Sequence, residues 1–235
     1  MDINILASSS KGNCTAVSDG HSTILLDAGI SHRDVLKGVH YNISSVKGCF
    51  ITHEHKDHCK GVDKLSTLGV NIYASAGTLS HLTLPAHRAY TVKSGETVTA
   101  GSFSVYSFDV NHDADEPLGF VATSLKTGER LIYFTDTYYV KYKFRHINYI
   151  LGEINYSADV LKRNIEEGFV TEAFAQRLLR SHMSIETFTD YLQANDLSEL
   201  KAVYILHMSD NNGDEKSFVD TVRGITGCPV YVGKA

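Results

Sequence analysis

Apolar residues in the first 155 positions fall in short runs separated by turn residues, a pattern that predicts many short strands. Polar residues 8–13 and the pair Asp19 and Gly20 are predicted turns between the first strands. Alternating residues from 89 to 110 predict antiparallel strands, and a hairpin is expected around Gly128. The other strands predicted in this region are residues 3–7, 14–18, 23–27, 48–51, 71–74, 119–125, 131–134 and 149–153.

Helical spacing of apolar residues is most extensive in the last third of the chain. Residues 158–195 are predicted to be mainly helical, and a helix from Asp214 to Arg223 is expected to end at Gly224. Two strands should alternate with these helices, at residues 201–206 and 229–232. The shorter helices predicted earlier are residues 31–38, 62–68 and 77–82. Since no linker or internal repeat interrupts the pattern, we predict one α/β domain over residues 1–235.

Composition and the distribution of residue types argue against several classes of protein. No apolar run approaches the ~18 residues that span a bilayer, and the N-terminus lacks the basic start and apolar stretch of a secretory signal. The four cysteines form no CxxC pair, which favours reduced thiols in a cytoplasmic protein without a membrane partner. A net charge of -5 offers no overall basic field for nucleic acid, although a local basic rim with metal ions can receive a phosphodiester. The oligomeric state, monomer or dimer, is left open.

A dense group of metal-ligand residue types follows the apolar run at 48–51. It contains His53, His55, Asp57 and His58 within six residues. In an extended segment, His53 and His55 project to the same side, while Asp57 and His58 lie where a helix should begin. The two pairs can therefore face two neighbouring metal ions. Imidazole and carboxylate ligands suit zinc, manganese or iron.

The ends of four predicted strands carry the same kind of residue. Each apolar strand leads directly into a histidine or an aspartate, namely His53, His112, Asp136 and His207. Strand ends in α/β sheets form the edge that usually bears the functional site. The pattern therefore predicts that these four residues meet.

The spacing His-x-His-x-Asp-His at residues 53–58 resembles the motif of the metallo-β-lactamase-fold hydrolases. The resemblance implies a four-layer αβ/βα sandwich, with two mixed β-sheets flanked by helices, and two divalent metal ions, zinc or manganese, with iron also suitable. It also implies that Asp27 steadies the histidine loop from behind; the alternative for Asp27 is a turn or helix cap. The implied ligands are His53, His55 and His112 for one metal, Asp57, His58 and His207 for the other, and Asp136 bridging both.

Longer segments resemble a bacterial subfamily of this family, the YycJ/WalJ type, which is related to the RNase Z and RNase J nucleases. The matching segments are residues 6–14, 153–156, 180–184 and 207–212. This resemblance implies an exonuclease-like phosphodiesterase that acts on DNA or RNA through a metal-bridging hydroxide. The intact His55 favours hydrolysis over the redox chemistry of diiron members of the family.

The same resemblance suggests roles for individual residues. Asp57, Asp136 and His182 are expected to be catalytic, with His182 touching the scissile phosphate or protonating the leaving 3′ oxygen. The alternative for His182 is a surface histidine at a helix start capped by Ser184. The predicted substrate-binding residues are Asn155, Arg180 and Asn211, of which Asn211 is equally suited to forming a turn.

Two other functions are compatible with the pattern. The first is hydrolysis of a small thioester, lactone or β-lactam by the same metals, which an apolar pocket would favour. The second is a binding module whose metal site no longer turns over; it is disfavoured because every expected ligand position is filled.

Overall fold

The computed structural model describes residues 1–233, which divide into two compact units. Residues 1–109, 114–133 and 233 form the first unit, and residues 110–113 and 134–232 form the second. The expectation of a single domain over residues 1–235 stays a prediction, and its last two residues lie outside the described part. Within that part, no helix combines the length and the apolarity needed to cross a membrane.

A six-stranded mixed sheet lies in the first unit, with its strands in sequence order. The first three strands pair antiparallel and the last three pair parallel to their predecessors. The strands are β1 (Asp2–Ser9), β2 (Gly12–Ser18), β3 (Thr23–Leu26), β4 (Val46–Phe50), β5 (Ile72–Ala74) and β6 (Ala89–Thr91). The helices of this unit are α1 (His32–Gly38), α2 (Lys56–Cys59), α3 (Val62–Thr67) and α4 (Ala76–Ser80).

Two expectations for this unit need correction. The strand β6 is parallel to β5, not part of an antiparallel run, because the chain crosses over through α4 before it returns to the sheet. The turn expected over residues 8–13 is shorter, since β1 extends to Ser9 and β2 begins at Gly12. The hydrogen-bonded ladder continues through these polar residues because the partner strand satisfies their backbone groups.

A seven-stranded mixed sheet has the order β13-β12-β11-β10-β9-β8-β7. The pairs β7–β8, β8–β9 and β9–β10 are antiparallel, whereas β11–β12 and β12–β13 are parallel. The strands are β7 (Thr97–Ala100), β8 (Phe103–Asp109), β9 (Leu118–Ser124), β10 (Arg130–Phe134), β11 (Tyr149–Glu153), β12 (Ala202–Leu206) and β13 (Val230–Val232).

The helices of the second unit are α5 (Ala158–Glu166), α6 (Glu172–Ser181), α7 (Ile185–Ala194) and α8 (Glu215–Thr226). The expected stop of α8 at Gly224 is wrong. Gly224 lies inside the helix, and Gly227 ends it with φ 65°, the left-handed conformation that commonly terminates helices. As expected, Ser184 caps α7, because its side chain accepts a hydrogen bond from the backbone N–H of Thr187.

Each unit has buried apolar side chains beneath its strand ends. In the first unit, Leu25, Cys49, Ile51 and Ile72 are fully buried in one cluster. In the second, the ring of Phe134 packs edge-on against Tyr191 at 5.3 Å between centroids. Burying one such side chain stabilises the fold by about 1.5–3 kcal/mol. The polar residues that follow these strands are therefore held on rigid supports.

Candidate metal centre

The histidine motif spans the turn after β4 and the first residues of α2. His53 and His58 are buried, and His55 is half-buried at the position that precedes α2. Nε2 of His53 lies 3.1 Å from Nδ1 of His55. Oδ2 of Asp57 lies 3.4 Å from Nε2 of His58. The two expected pairs are thus close in space as well as in sequence.

Asp27 supports this loop with a fully buried carboxylate. Oδ1 accepts hydrogen bonds from the backbone N–H of Thr52 at 2.8 Å and from its hydroxyl at 3.0 Å. Oδ2 lies 2.8 Å from Nδ1 of His58 and accepts a 2.7 Å hydrogen bond from the hydroxyl of Tyr133. The cap of α1 is Ser31, so capping that helix is not the role of Asp27. Sequence patterns do not point to Thr52 and Tyr133, since neither is a usual ligand type.

Asn13 is a second support of the loop, to which the sequence motifs assign no individual role. Its side-chain amide donates to the backbone oxygen of Ser9 at 3.0 Å and lies 3.1 Å from Nε2 of His58. Its backbone oxygen accepts from Gly29, while the N–H of Ala28 donates to the backbone oxygen of His58. The resemblance of segment 6–14 to the subfamily is the signal that could have identified it.

Asp136 and His207 follow β10 and β12 with φ angles of 50° and 48°. Asp27, after β3, has φ 58°. Left-handed backbone at non-glycine residues is unusual, and such strain concentrates at functional positions, at a cost of about 1–3 kcal/mol each. The two oxygens of Asp136 lie 3.4 Å from Nδ1 of His207 and 3.6 Å from Nε2 of His112. The strain therefore orients side chains that contact one another.

The orientation of the His112 ring is fixed through Nδ1. Nδ1 donates to the backbone oxygen of Ser181 at 3.1 Å, which directs Nε2 towards Asp136. Burial lowers the pKa of His112 and outweighs the opposite effect of the Asp136 charge. A histidine held neutral presents the lone pair that metal binding requires.

Glu153, the last residue of β11, is the main residue to which sequence reasoning gives no role. It is fully buried, and Oε1 accepts from Nδ1 of His182 at 2.5 Å and lies 3.2 Å from Nδ1 of His207. Oε2 accepts from the backbone N–H of Thr137 at 3.0 Å. Burial alone would raise the pKa of Glu153, but the charge of His182 and the hydrogen bonds from both histidines lower it.

His182 lies between α6 and α7, and its side chain is 18% exposed. Burial acts to lower its pKa, but the charge of Glu153 and the hydrogen bond to that carboxylate raise it. Its ring stacks on that of His207 with 5.3 Å between centroids. His182 thus combines contact with predicted ligands and access to solvent.

The three predicted substrate-binding residues lie in different surroundings. Asn155 is 5% exposed, and its amide donates to the backbone oxygen of His207 at 2.8 Å. Arg180 is exposed in the last turn of α6. Asn211 is exposed, and its backbone oxygen accepts from the side chain of Asn164. Their contact with a substrate stays a prediction.

Within the second unit, the donor atoms of Asp136, Glu153, His182 and His207 all lie within 4.8 Å of one another. The predicted ligands of the two units are imidazoles and carboxylates without thiolates, a set that fits zinc, manganese or iron.

The chain also matches a known protein family. Residues 22–208 match the family model of the β-lactamase superfamily domain. The match spans more than half of the chain, so the chain belongs to this superfamily. The predicted family, its fold with two mixed sheets flanked by helices, and the assignment as an enzyme of the hydrolase class are thereby confirmed.

Individual relatives extend over most of the chain. An exodeoxyribonuclease YycJ of Bacillus anthracis is 29% identical in an alignment of 231 positions that covers 92% of this chain and 85% of that protein. An exodeoxyribonuclease WalJ of Streptococcus pneumoniae is 26% identical, with 98% of this chain and 90% of that protein covered. The metallo-β-lactamase fold protein YhfI of Bacillus subtilis has a similar structure, with a TM-score of 0.73 at 14% identity, covering 99% of this chain and 95% of that one.

Proposed function

We propose that the chain is a metal-dependent nuclease that hydrolyses phosphodiester bonds in DNA. The observation that carries the proposal is the cluster of metal-ligand side chains in the second unit, where donor atoms of Asp136, Glu153, His182 and His207 lie within 4.8 Å of one another. DNA is favoured over RNA because the two curated relatives at 29% and 26% identity are named exodeoxyribonucleases. An exonuclease mode is part of the same proposal.

Two divalent ions, zinc or manganese, with iron also suitable, complete the proposed site. His53, His55 and His112 would hold one ion, and Asp57, His58 and His207 the other, with Asp136 shared. Bound divalent ions of this kind ionise water near neutral pH and neutralise charge on phosphoryl oxygens. Asp27 would keep Nδ1 of His58 engaged, so that Nε2 serves the metal.

His182 is the proposed proton donor. Its Nδ1–H is engaged by Glu153, which leaves Nε2 to exchange a proton with the substrate. The pKa raised by Glu153 favours the protonated ring, which can give its proton to the leaving 3′ oxygen. Asp57 and Asp136 would hold the metal ions beside the reacting phosphate. The DNA strand would be positioned by Asn155, Arg180 and Asn211.

The remaining parts of the proposal concern the whole molecule. One catalytic domain over residues 1–235, monomer or dimer, would act in the cytoplasm without a membrane partner. The four cysteines of the described part are free thiols, which suits a reducing compartment.

Digestion of end-labelled single- and double-stranded DNA and RNA tests the function. The wild-type chain, loaded with manganese or zinc, should shorten DNA from one end, and His58→Ala should not. The product ladder would give the polarity. Turnover of chromogenic thioesters or lactones, with no cleavage of any nucleic acid under either metal, would refute the nuclease and favour the small-molecule hydrolase.

A further inference from the structure

A second binding feature lies in the second unit, where the loop after His207 meets the connection between α5 and α6. It is a pocket of about 590 Å³, within the size range of ligand pockets. Phe169 and Phe174 line it together with amide and hydroxyl side chains, including those of Asn164, Asn211 and Ser209. None of the described residues that line it is charged, so the pocket suits a neutral, flat, polar-edged ligand.

The exposure of Phe169 is unusual for its position. Gly168, with φ 78°, reverses the chain at the end of α5, and the N–H of Phe169 donates to the backbone oxygen of Asn164. A hydrophobic residue just after such a turn commonly packs back on its helix. Here Val170 packs on the cluster around Leu161 instead, and Phe169 is 78% exposed. Phe174 is 50% exposed as well, so two aromatic rings face solvent at one pocket.

The polar side of the pocket is rigid. The amide of Asn164 donates to the backbone oxygen of Asn211 at 3.0 Å and to Oδ1 of Asn212 at 2.8 Å. Asn212 is 3% exposed, and its backbone oxygen accepts from the N–H of Ser157. The exposed side chain of Asn211 is therefore presented from a fixed loop, with a donor and an acceptor for the edge of a ligand.

Hydrogen bonds link the backbone of one pocket residue to His207, a predicted metal ligand. The backbone N–H of Ser209 donates to the backbone oxygen of Asn155, whose amide donates to the backbone oxygen of His207. Asn211 lies four positions after His207, which limits the distance between their Cα atoms to about 14 Å. A short oligonucleotide that reacts near His207 can therefore extend to Asn211.

We infer that this pocket binds an unpaired nucleobase of the DNA strand being cleaved, by stacking on Phe169 and Phe174 and by hydrogen bonds to Asn211. Aromatic side chains serve all bases in this way, because every base has a π-face. The inference rests on the proposed nuclease function. It predicts that the enzyme prefers a strand whose bases are unpaired next to the reacting phosphate, since a paired base cannot enter the pocket.

The test measures binding in the absence of turnover. Fluorescence anisotropy would give Kd for nuclease-resistant phosphorothioate oligothymidylate and for the same backbone with abasic sites, both on the manganese-loaded full chain. The double variant Phe169→Ala/Phe174→Ala should raise Kd for oligothymidylate by about tenfold to a hundredfold and leave Kd for the abasic strand unchanged. Leu179→Ala removes another exposed apolar side chain of α6 and should match the wild type on both strands.

An equal loss on both strands, or no loss on either, would overturn the inference. So would light scattering that shows a wild-type dimer converted to a monomer by the double variant, since the pocket would then join two copies of the chain. If the double variant does not fold, Phe169→Leu keeps the apolar volume without the ring and should show the same base-dependent loss. Failure of the nuclease proposal itself would appear separately, as wild-type protein that digests no nucleic acid.

Discussion

Asp27 and Glu153 are both fully buried carboxylates beneath histidines, but they are used differently. Every contact of Asp27 described above goes to a fixed group: the backbone and hydroxyl of Thr52, the ring of His58 and the hydroxyl of Tyr133. Glu153 instead joins two histidines, His207 and the partly exposed His182. One carboxylate stabilises a loop; the other links a predicted ligand to a side chain that a substrate can reach.

The comparison indicates that the buried carboxylates of Asp27 and Glu153 have different effects on their surroundings. Around Asp27, paired hydrogen bonds offset the cost of burying the carboxylate, and the result is a rigid histidine loop. Around Glu153, the carboxylate also raises the pKa of His182, the proposed proton donor. Substitutions at the two clusters should therefore separate metal binding from chemistry.

The largest effect is expected from Asp136→Ala, because Asp136 is the proposed ligand shared by both metal ions. Bound metal, measured by elemental analysis, should fall below that of the wild type, and DNA cleavage should fall about a thousandfold or more. The exposed Asp63→Ala on α3 is the matched control and should keep both. Full activity in the Asp136 variant would remove the basis of the metal assignment.

His182→Ala should lower activity without lowering the metal content. We expect kcat to fall about a hundredfold to ten-thousandfold, the usual contribution of general acid catalysis, while metal content stays near that of the wild type. Single-turnover cleavage and elemental analysis of the same preparation would measure both. Equal loss of metal and activity would refute the assigned role and make His182 a structural residue.

Glu153→Gln should give a smaller effect of the same kind. The amide keeps the shape but removes the charge that orients and protonates His182, so kcat should fall about tenfold to a hundredfold. In the His182→Ala background the substitution should change kcat little, because its partner is already absent. Additive losses in the double variant would contradict a shared role.

Asp27→Asn should weaken metal binding and lower the stability of the fold. Losing the charge at hydrogen bonds to Thr52, His58 and Tyr133 should weaken metal affinity about tenfold to a hundredfold. The free energy of unfolding of the metal-free protein should fall by about 1.5–3 kcal/mol. Metal titration and urea unfolding would measure these quantities; a fall in kcat at saturating metal without either change would contradict the bracing role.

Two glycines should change the stability of the fold in opposite directions. A Cβ at Gly29 would lie 1.6 Å from the backbone oxygen of Asp57, so Gly29→Ala should destabilise the histidine loop by about 1–3 kcal/mol or more. A Cβ at Gly224, inside α8, would point into open space, and Gly224→Ala should stabilise the fold by about 0.5–1 kcal/mol. Thermal unfolding of both variants would test the opposite signs.

Sequence patterns point to the candidate ligands more readily than to the residues that support them. The strand-end rule predicts His53, His112, Asp136 and His207 as ligands because a buried strand that ends in a ligand-type residue is a local signal. Glu153 also ends a strand, so the same rule extends to it, but its bond to His182 joins segments 29 residues apart and has no local signature.

The missed features of the fold have a similar origin. The parallel pairing of β6 depends on the crossover of the chain, whereas alternation along the sequence is the same in both directions. The end of α8 at Gly227 depends on which of two nearby glycines adopts the left-handed conformation. The positive φ angles of Asp27, Asp136 and His207 are maintained by tertiary contacts that no single segment contains.

Anomalous diffraction from crystals of the zinc-loaded chain tests the central claim most directly. The account predicts two anomalous peaks, one coordinated by His53, His55 and His112 and the other by Asp57, His58 and His207, with Asp136 contacting both. A single peak held by Asp136, Glu153, His182 and His207, the donor cluster of the second unit, would contradict it, because His182 would then be a ligand and could not donate the proton.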